Sequence, residues 1–452
     1  MKQPRPTIWL VMSFLLFTGA QSLSQQKTLT LDQARQIALE QNLSVVQAQN
    51  NVQSAQSSVL SAYGGYLPTL SLSGGWNRSQ NDRSASVTEV VAGAAVNIPP
   101  EFSVTNNFST GINARYTIFD GFSRGARVSQ ASSNAVATEH TSSRTRQAVV
   151  FQVESAYLNV LRNEQLVKVS EENLKRDQRQ LERITESNKV GALSIADVYR
   201  QQSTVAQDEL ALITAQNNFD NSKADLTALI GLDVWEDYAF RDPTISPEIS
   251  SDELSETIEK YRSVQNLSVR ALQARPDYFA AKERLSGAEA GVTQGRSGYM
   301  PNISAYGGYS LSNTKFSRLS DNKNLNWGIT LSWSLFDGFR TNEQLQTAAA
   351  VKRNAEVALL QAERDVNTEI KKAVLDLDAA RKQYEVSQKG LISAEQDRRI
   401  AEERYNLGAG TLLDLLIANA GLVNAQANKV NAVYNYITSK RNLEYVIGER
   451  AY

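Results

Sequence analysis

The chain of 452 residues repeats itself. Gly65-Tyr66-Leu67-Pro68 returns as Gly298-Tyr299-Met300-Pro301, 233 positions later. The run from Gly111-Ile112 to Phe119-Asp120-Gly121-Phe122 returns as Gly328-Ile329 to Phe336-Asp337-Gly338-Phe339, 217 positions later. Gly191 with Asp197 returns as Gly408 with Asp414, and Leu229-Ile230-Gly231 as Val446-Ile447-Gly448, both at 217. The offset changes once, between Trp76 and Phe108, where the first copy carries a longer loop. One shift in an otherwise constant register means that the two halves share one plan.

Each half reads helix, strand, loop, strand, very long helix, sharp turn, helix. The first helix opens on a capping box, Thr30 with Gln33. Its seam runs Ala34, Ala38, Gln41, Val45, Ala48, Val52, Ala55, Val59, Ala62, in the steps of four and three of a coiled coil. Pro68 stops it, because the residue before a proline prefers an extended backbone. The chain holds only 9 prolines, and none falls between Ser123 and Val190 or between Arg340 and Leu407. At 1.5 Å per residue such a stretch extends about 100 Å. The seam of the second arm includes Ala355, Leu359, Ala362, Val366, Ile370, Ala373, Leu377, Ala380, Tyr384, Leu391 and Ala394. Phe-Asp-Gly-Phe supplies a tight turn at both strand-to-helix joints.

Four segments alternate with period two. Leu70, Leu72, Gly74 and Trp76 oppose Thr69, Ser71, Ser73 and Asn77. Phe108, Ile112, Ala114, Tyr116 and Ile118 oppose Ser109, Asn113, Arg115 and Thr117. Ile303, Ala305, Tyr309 and Leu311 oppose Asn302, Ser304 and Ser310; Leu325, Trp327, Ile329, Leu331, Trp333 and Leu335 oppose Asn326, Thr330, Ser332 and Ser334. About ten residues is the length of a tilted transmembrane strand, apolar outward and polar inward. A soluble sandwich face is the blander reading of the same alternation. Four strands cannot close a membrane barrel, which needs about eight. Three copies give twelve strands and favour a cyclic trimer, whereas a dimer would give a narrow eight.

Composition removes most chemistry. With Cys 0 and His140 the only histidine, there is no disulfide, no thiolate and no cluster of histidine ligands. No cofactor or metal is expected, and no enzyme: a carboxylate hydrolase would need paired acids in a pocket that the sequence does not offer. His140 reads as a helix-surface residue. Lys2 and Arg5, then an apolar run from Ile8 to Phe17, then Thr18-Gly19-Ala20, form a secretory signal over 1–24 with cleavage at about 20–24. Its removal takes 47 basic residues to 45 against 48 acidic, a charge near −3, which recommends no nucleic acid partner. No later stretch offers a transmembrane helix, so membrane entry requires a closed barrel. The organisation expected is a first repeat over 29–231, a mixed segment over 232–275 around the middle of the tunnel, and a second repeat over 276–452.

A duplicated helix–strand–strand–helix plan with Gly-Tyr-x-Pro, Phe-Asp-Gly and Gly-x5-Asp, plus Arg275-Pro276-Asp277 at the entry to the second repeat, resembles the TolC-like outer-membrane efflux protein family from Leu31 to Gly448. The resemblance implies an α+β membrane protein. Its homotrimeric 12-stranded transmembrane β-barrel, four strands per chain, continues into a long periplasmic α-helical coiled-coil barrel. It further implies an outer-membrane exit duct set in outer-membrane lipid, served by a periplasmic adaptor and an inner-membrane pump or ABC exporter, passing small molecules or polypeptides outward. The alternative is a periplasmic coiled-coil scaffold or adaptor without a pore.

The tip turns, at Gly191 and Gly408, carry the candidate residues. Ser194 with Asp197, and Thr411 with Asp414, both read as helix starts, so the two aspartates have a purely capping role available. The resemblance adds that Asp414 lines a periplasmic constriction, where threefold symmetry would build a ring of carboxylates that favours cations. Ile417 stands where many relatives carry a second acid. Asp197 and Tyr405 match positions that family members link by hydrogen bonds to hold the tip shut, and Gly410 stands where some carry a basic partner.

Overall fold

A computed structural model describes residues 27–449, apart from positions 99, 247 and 262; the signal expected over 1–24 lies outside these. The chain opens with β1 (Lys27–Leu29), α1 (Leu31–Gln41) and α2 (Leu43–Gly64). Four strands follow: β2 (Thr69–Arg83), the small hairpin β3 (Val87–Val91) and β4 (Ala94–Ile98), and β5 (Glu101–Phe119). Then come α3 (Ser123–Lys189), α4 (Ile195–Ile230), β6 (Tyr238–Phe240), α5 (Ser251–Lys260), α6 (Val264–Ala274) and α7 (Pro276–Arg296). The second copy closes with β7 (Asn302–Asn313), β8 (Lys323–Ser332), α8 (Arg340–Asn406) and α9 (Leu412–Ile447).

The duplication is carried through to single residues. α3 and α8 are each 67 residues long and α4 and α9 each 36. All four end in the same way, with Gly191, Gly231, Gly408 and Gly448 at positive φ. In each, the glycine N–H and the next N–H return to carbonyls of the last turn, as Gly191 to Asn188 (2.9 Å) and Ala192 to Ser187 (2.9 Å). At the other end of the long helices, Gly121-Phe122 and Gly338-Phe339 take left-handed backbone in succession. This is costly for phenylalanine, and each ring packs edge-on against the phenylalanine three residues earlier (5.5 Å between centroids). Asp120 and Asp337 accept the amide of the residue four further on, Arg124 at 3.0 Å and Thr341 at 2.9 Å. The Phe-Asp-Gly-Phe joint is therefore a helix cap.

The long helices run through two layers. Beside the sheet the packing order is α2, α3, α7, α8; toward the tip it is α4, α3, α9, α8. α2 and α4 thus meet end to end, as do α7 and α9. The seam from Ala34 to Ala62 predicts one helix, but it breaks at Asn42, which caps α2 through Ser44 N (2.9 Å). Asn42 Nδ2 also donates to the Leu229 carbonyl (2.8 Å) at the end of α4. Arg275, 233 positions on, breaks α6 from α7 and donates to the Val446 carbonyl (3.2 Å), 217 positions after Leu229. The helical part of the second copy therefore reaches back to Val264, inside the segment read as mixed. Arg275 is buried and also holds Asp277 (Nε to Oδ1, 3.0 Å) and Glu369 (2.6 Å), so Arg-Pro-Asp clamps the joint.

Burial concentrates around these joints. One core joins Ala34, Val45, Val153, Tyr157, Leu226 and Phe240; the other joins Leu267, Ile370, Ala373, Tyr384, Tyr436 and Leu443. The seam residues of α8 from Val366 to Tyr384 are fully buried and those nearer its ends half-buried. Gln41, read as part of the first seam, is exposed because α1 ends there. His140 is half-buried and stacks on Phe279 of α7 (5.5 Å) rather than lying free on the surface. β1 pairs in parallel with β6, tying the start of the first copy to the segment between copies.

β2, β5, β7 and β8 form one antiparallel sheet in that order, leaving β2 and β8 as edges. The register gathers the apolar sets onto one face: Leu72 opposite Ile112, Ile112 opposite Tyr309, Tyr309 opposite Leu325. The polar sets share the other, with Thr69 opposite Arg115 and Arg115 opposite Tyr306. Trp333 and Leu335 lie beyond the end of β8, and Trp333 Nε1 donates to the Tyr299 carbonyl (3.1 Å). The longer first loop folds as the hairpin β3–β4.

Two of the four glycine caps differ in what surrounds them. A Cβ at Gly191 would meet nothing within 4 Å, whereas at Gly231 it would fall 3.0 Å from Gln41 Cβ and 3.2 Å from Gln41 O. Gly191→Ala should cost about 1 kcal/mol for left-handed backbone. Gly231→Ala should cost about 2 kcal/mol or more, because the contact between the ends of α1 and α4 must also part. Thermal unfolding followed by circular dichroism should place the Gly231 variant clearly below the Gly191 variant.

Candidate functional site

The tips of the two helical hairpins are brought side by side by a small core of Ile184, Val198 and Leu412, with Leu181, Leu193, Tyr405 and Leu416 packed against it. The turns differ in their chemistry. Thr411 and Asp414 form a complete capping box: Asp414 N donates to Thr411 Oγ1 (3.1 Å), and Thr411 N donates to Asp414 Oδ2 (3.0 Å). Ser194 caps Ala196 N instead (3.1 Å), leaving the Asp197 carboxylate out of the cap. Arg200 takes that carboxylate at 3.0 Å. Of the two aspartates, Asp414 is the capping residue.

Asp414 and Ile417 lie with Leu413 on one exposed stripe of α9, turned away from the tip core. The Thr411 amide and hydroxyl hold the Asp414 carboxyl below the usual carboxylate range, and Arg404 adds to this. Gly410 packs against Arg404: a Cβ there would lie 3.1 Å from Arg404 Cβ. The positive charge near Asp414 thus comes from the end of α8. Asp197 and Tyr405 are near enough for the Asp197 charge to push up the Tyr405 phenol, after the larger effect of burial. The structure places no hydrogen bond between them, and the buried Tyr405 hydroxyl has no hydrogen-bond partner among the described residues. Arg200 explains the difference, since it already neutralises Asp197.

The sequence reading missed a polar layer further up the seam between the hairpins. Asp177, Gln201 and Asn419 are buried there, from α3, α4 and α9. Gln201 Nε2 donates to the Asp177 carbonyl (3.1 Å) and Asn419 Nδ2 to Asp177 Oδ1 (3.4 Å). Asn173 Nδ2 donates to Asp208 Oδ1 (2.7 Å), while Asp208 Oδ2 is buried without a donor. Burial, and the Asp177 carboxylate beside it, hold the Asp208 carboxyl well above its ordinary range, with Arg176 opposing. A proton on Asp208 supplies the donor that the pair lacks. The signal in the sequence was Asn173, Asp177, Gln201 and Asp208 at inward helical positions, where a coiled coil normally carries small or apolar side chains.

The family model described as outer membrane efflux protein matches residues 34–232 and 267–449. The outer membrane protein TolC of Vibrio cholerae is 26% identical over 405 residues, 86% of this chain and 84% of that protein. The toluene efflux pump outer membrane protein TtgC of Pseudomonas putida is 26% identical over 420 residues, 90% of this chain and 78% of that protein. Among solved structures, the outer membrane protein VceC of Vibrio cholerae superposes with a TM-score of 0.76 at 22% identity, covering 92% of this chain and 96% of that one.

Two outcomes follow from the tip and the seam. Tyr405→Phe removes a buried hydroxyl without a hydrogen-bond partner, so the tip should keep its stability or gain up to about 1 kcal/mol. Hydrogen exchange of the amides in the two tip turns reads this; faster exchange in the variant would mean that the hydroxyl does hold the tip. Asp208 keeps a proton in the folded chain that it loses at ordinary carboxylate pH when unfolded. Stability at this site is therefore intact in acid and falls as pH rises from the unfolded toward the raised folded pKa. Asp208→Asn should melt above the native chain at pH 8, and the difference should shrink toward pH 4.

Proposed function

The chain belongs to the outer membrane efflux protein family, and from that membership we propose that three copies close into one passive exit duct across the outer membrane. The observation that carries this reading is that the single chain is open on both sides. In the sheet, β2 and β8 present unpaired edges, which a lipid environment cannot satisfy. In the helical part, Leu60 of α2 and Leu210 and Ile213 of α4 are exposed along one flank, and Val357, Leu375 and Val386 of α8 are exposed as well. Unlike edges on opposite flanks favour head-to-tail contact, which generates a ring when the rotation closes. Three copies bring four strands each to a 12-stranded barrel, above the smallest bacterial size.

The two faces of the sheet support the same arrangement. Leu70, Leu72, Leu325, Trp327 and Ile329 are largely exposed on the apolar face, where a soluble protein would bury them but lipid would not penalise them. The polar face opens onto a concave niche where the strands pass into the helices, lined by Thr69, Arg115, Thr117, Asn302 and Ser332 among others. A periplasmic scaffold without a pore would leave the apolar face without a role. The long helices then project about 100 Å on the periplasmic side. There the tips would dock a periplasmic adaptor and an inner-membrane pump or ABC exporter that supplies the energy and chooses the cargo. At the tip, threefold symmetry would set three Asp414 carboxylates around the axis with Ile417 one turn away, a cation-favouring ring with an apolar neighbour.

The cell fraction, the assembly state and the conductance test the reading together. The protein should partition with outer membranes, run as a trimer in detergent and conduct in planar bilayers. Asp414→Ala should lower the preference for cations over anions in the reversal potential under a salt gradient. A monodisperse single chain that gives no conductance would refute the duct, and unchanged selectivity would refute the ring alone.

A further inference from the structure

Over the rows nearer the helices, the inward face of the sheet carries one charge. From the row of Thr117, Ser304 and Thr330 outward to Asn77, Asn107 and Ser312, its side chains are serine, threonine, asparagine, glycine and Tyr306, with Arg115 the sole ionised group. Arg115 opens onto a concave niche of 590 Å³ where the strands pass into the helices, and Arg124, Arg127 and Asp120 line the same niche. Arg124 is spent on the fold. It pairs with Asp120 at 3.2 Å, donates to the carbonyls of Thr117 (2.7 Å) and Ile118 (3.0 Å), and lies over the Tyr66 ring. Arg115 and Arg127 have no carboxylate or hydrogen-bond partner for their guanidinium groups among the described residues. The niche therefore holds two uncompensated cations beside one neutralised pair, in walls that otherwise offer hydroxyls, the Asn302 amide, backbone and the apolar side chains of Leu67 and Met300.

We propose that Arg115 and Arg127 form an anion-binding collar inside the duct, at the passage from barrel to helices, that engages oxyanion groups on passing cargo. The collar rests on the trimeric duct reading, since the ring is completed by three copies. A guanidinium presents a planar fork that matches carboxylate, phosphate and sulfate oxygens two at a time. A concave site lined by one sign of charge focuses its field and raises the local concentration of counter-ions. Three copies bring six such cations to one level of the lumen. Arginine rings are the arrangement that favours anions in pores. The duct would then carry opposite preferences at two levels, for anions at the collar and for cations at the Asp414 ring, so that each level attracts what the other repels.

The test is block of single channels in planar bilayers by tripolyphosphate added on the barrel side. The native channel should lose conductance as tripolyphosphate rises. R115Q/R127Q should need about tenfold or more of it for half block, as expected when charge-assisted hydrogen bonds are lost. Raising KCl from about 0.1 M to about 1 M should weaken block of the native channel, because the Debye length shrinks from about 10 Å to about 3 Å. This second measurement needs no variant, so it decides the matter if the glutamine pair fails to assemble. Channels that conduct but are indifferent to tripolyphosphate, or that are blocked equally in both forms or equally at both salt concentrations, overturn the collar and leave the duct standing. Absence of any conductance from the native trimer overturns the duct reading and the collar with it.

Discussion

The backbone amides and carbonyls along the outer edges of β2 and β8 are the constraint from which the rest of the architecture follows. Within a bilayer no water can satisfy them, and each unsatisfied group costs several kcal/mol. Four strands leave two such edges, so the chain is incomplete as a membrane protein until a neighbour lies on each side. The helices inherit the same requirement, because each long helix continues directly from a strand through a turn only a few residues long. The flanks of the helical rods stay apolar for the same neighbours.

The duplication gives each chain two quasi-equivalent staves per layer, and the joints show how closely the halves correspond. Asn42 to the Leu229 carbonyl and Arg275 to the Val446 carbonyl are the same contact made twice with different donors. Where the first copy uses an amide, the second uses a guanidinium that also gathers Asp277 and Glu369. The second joint is thus reinforced by charge, while the first is reinforced by β1 pairing with β6. Both lie within the two main cores, where a chain with few buried residues elsewhere places most of its apolar contact.

Much of this was legible in the sequence, for definite physical reasons. The seams were readable because a helix of 67 residues must repeat its inward positions many times, and the repetition outweighs local ambiguity. The strands were readable because alternation separates two solvents, lipid and water, that tolerate no exchange of side chains. The glycine caps were readable because left-handed backbone selects glycine, and it did so four times at a constant spacing. The break at Asn42 was hidden, although asparagine is a favoured cap, because the small and apolar seam runs on across it from Ala38 to Val45 and its partner lies 187 residues away. The tip was legible only in its turns: capping chemistry at Ser194–Asp197 and Thr411–Asp414 looks the same in letters. Only the fold shows that Arg200 claims one aspartate and Thr411 the other. The layer around Asp177 and Asp208 was missed because its members come from three helices, and the inward polar positions of each helix show their partners only once the helices are packed.

The end-to-end meetings of α2 with α4 and of α7 with α9 make a machine of unequal parts. α3 and α8 are unbroken shafts from sheet to tip, whereas their companions are each cut at the same height, where a donated hydrogen bond to a helix end joins the pieces within the buried core. In a closed cylinder, rigid and hinged columns would alternate around the circumference. Thrust along the axis would travel down the unbroken columns. A twist applied at the far end could be absorbed at the waist by small rotations of the hinged ones, without disturbing the wall embedded in lipid.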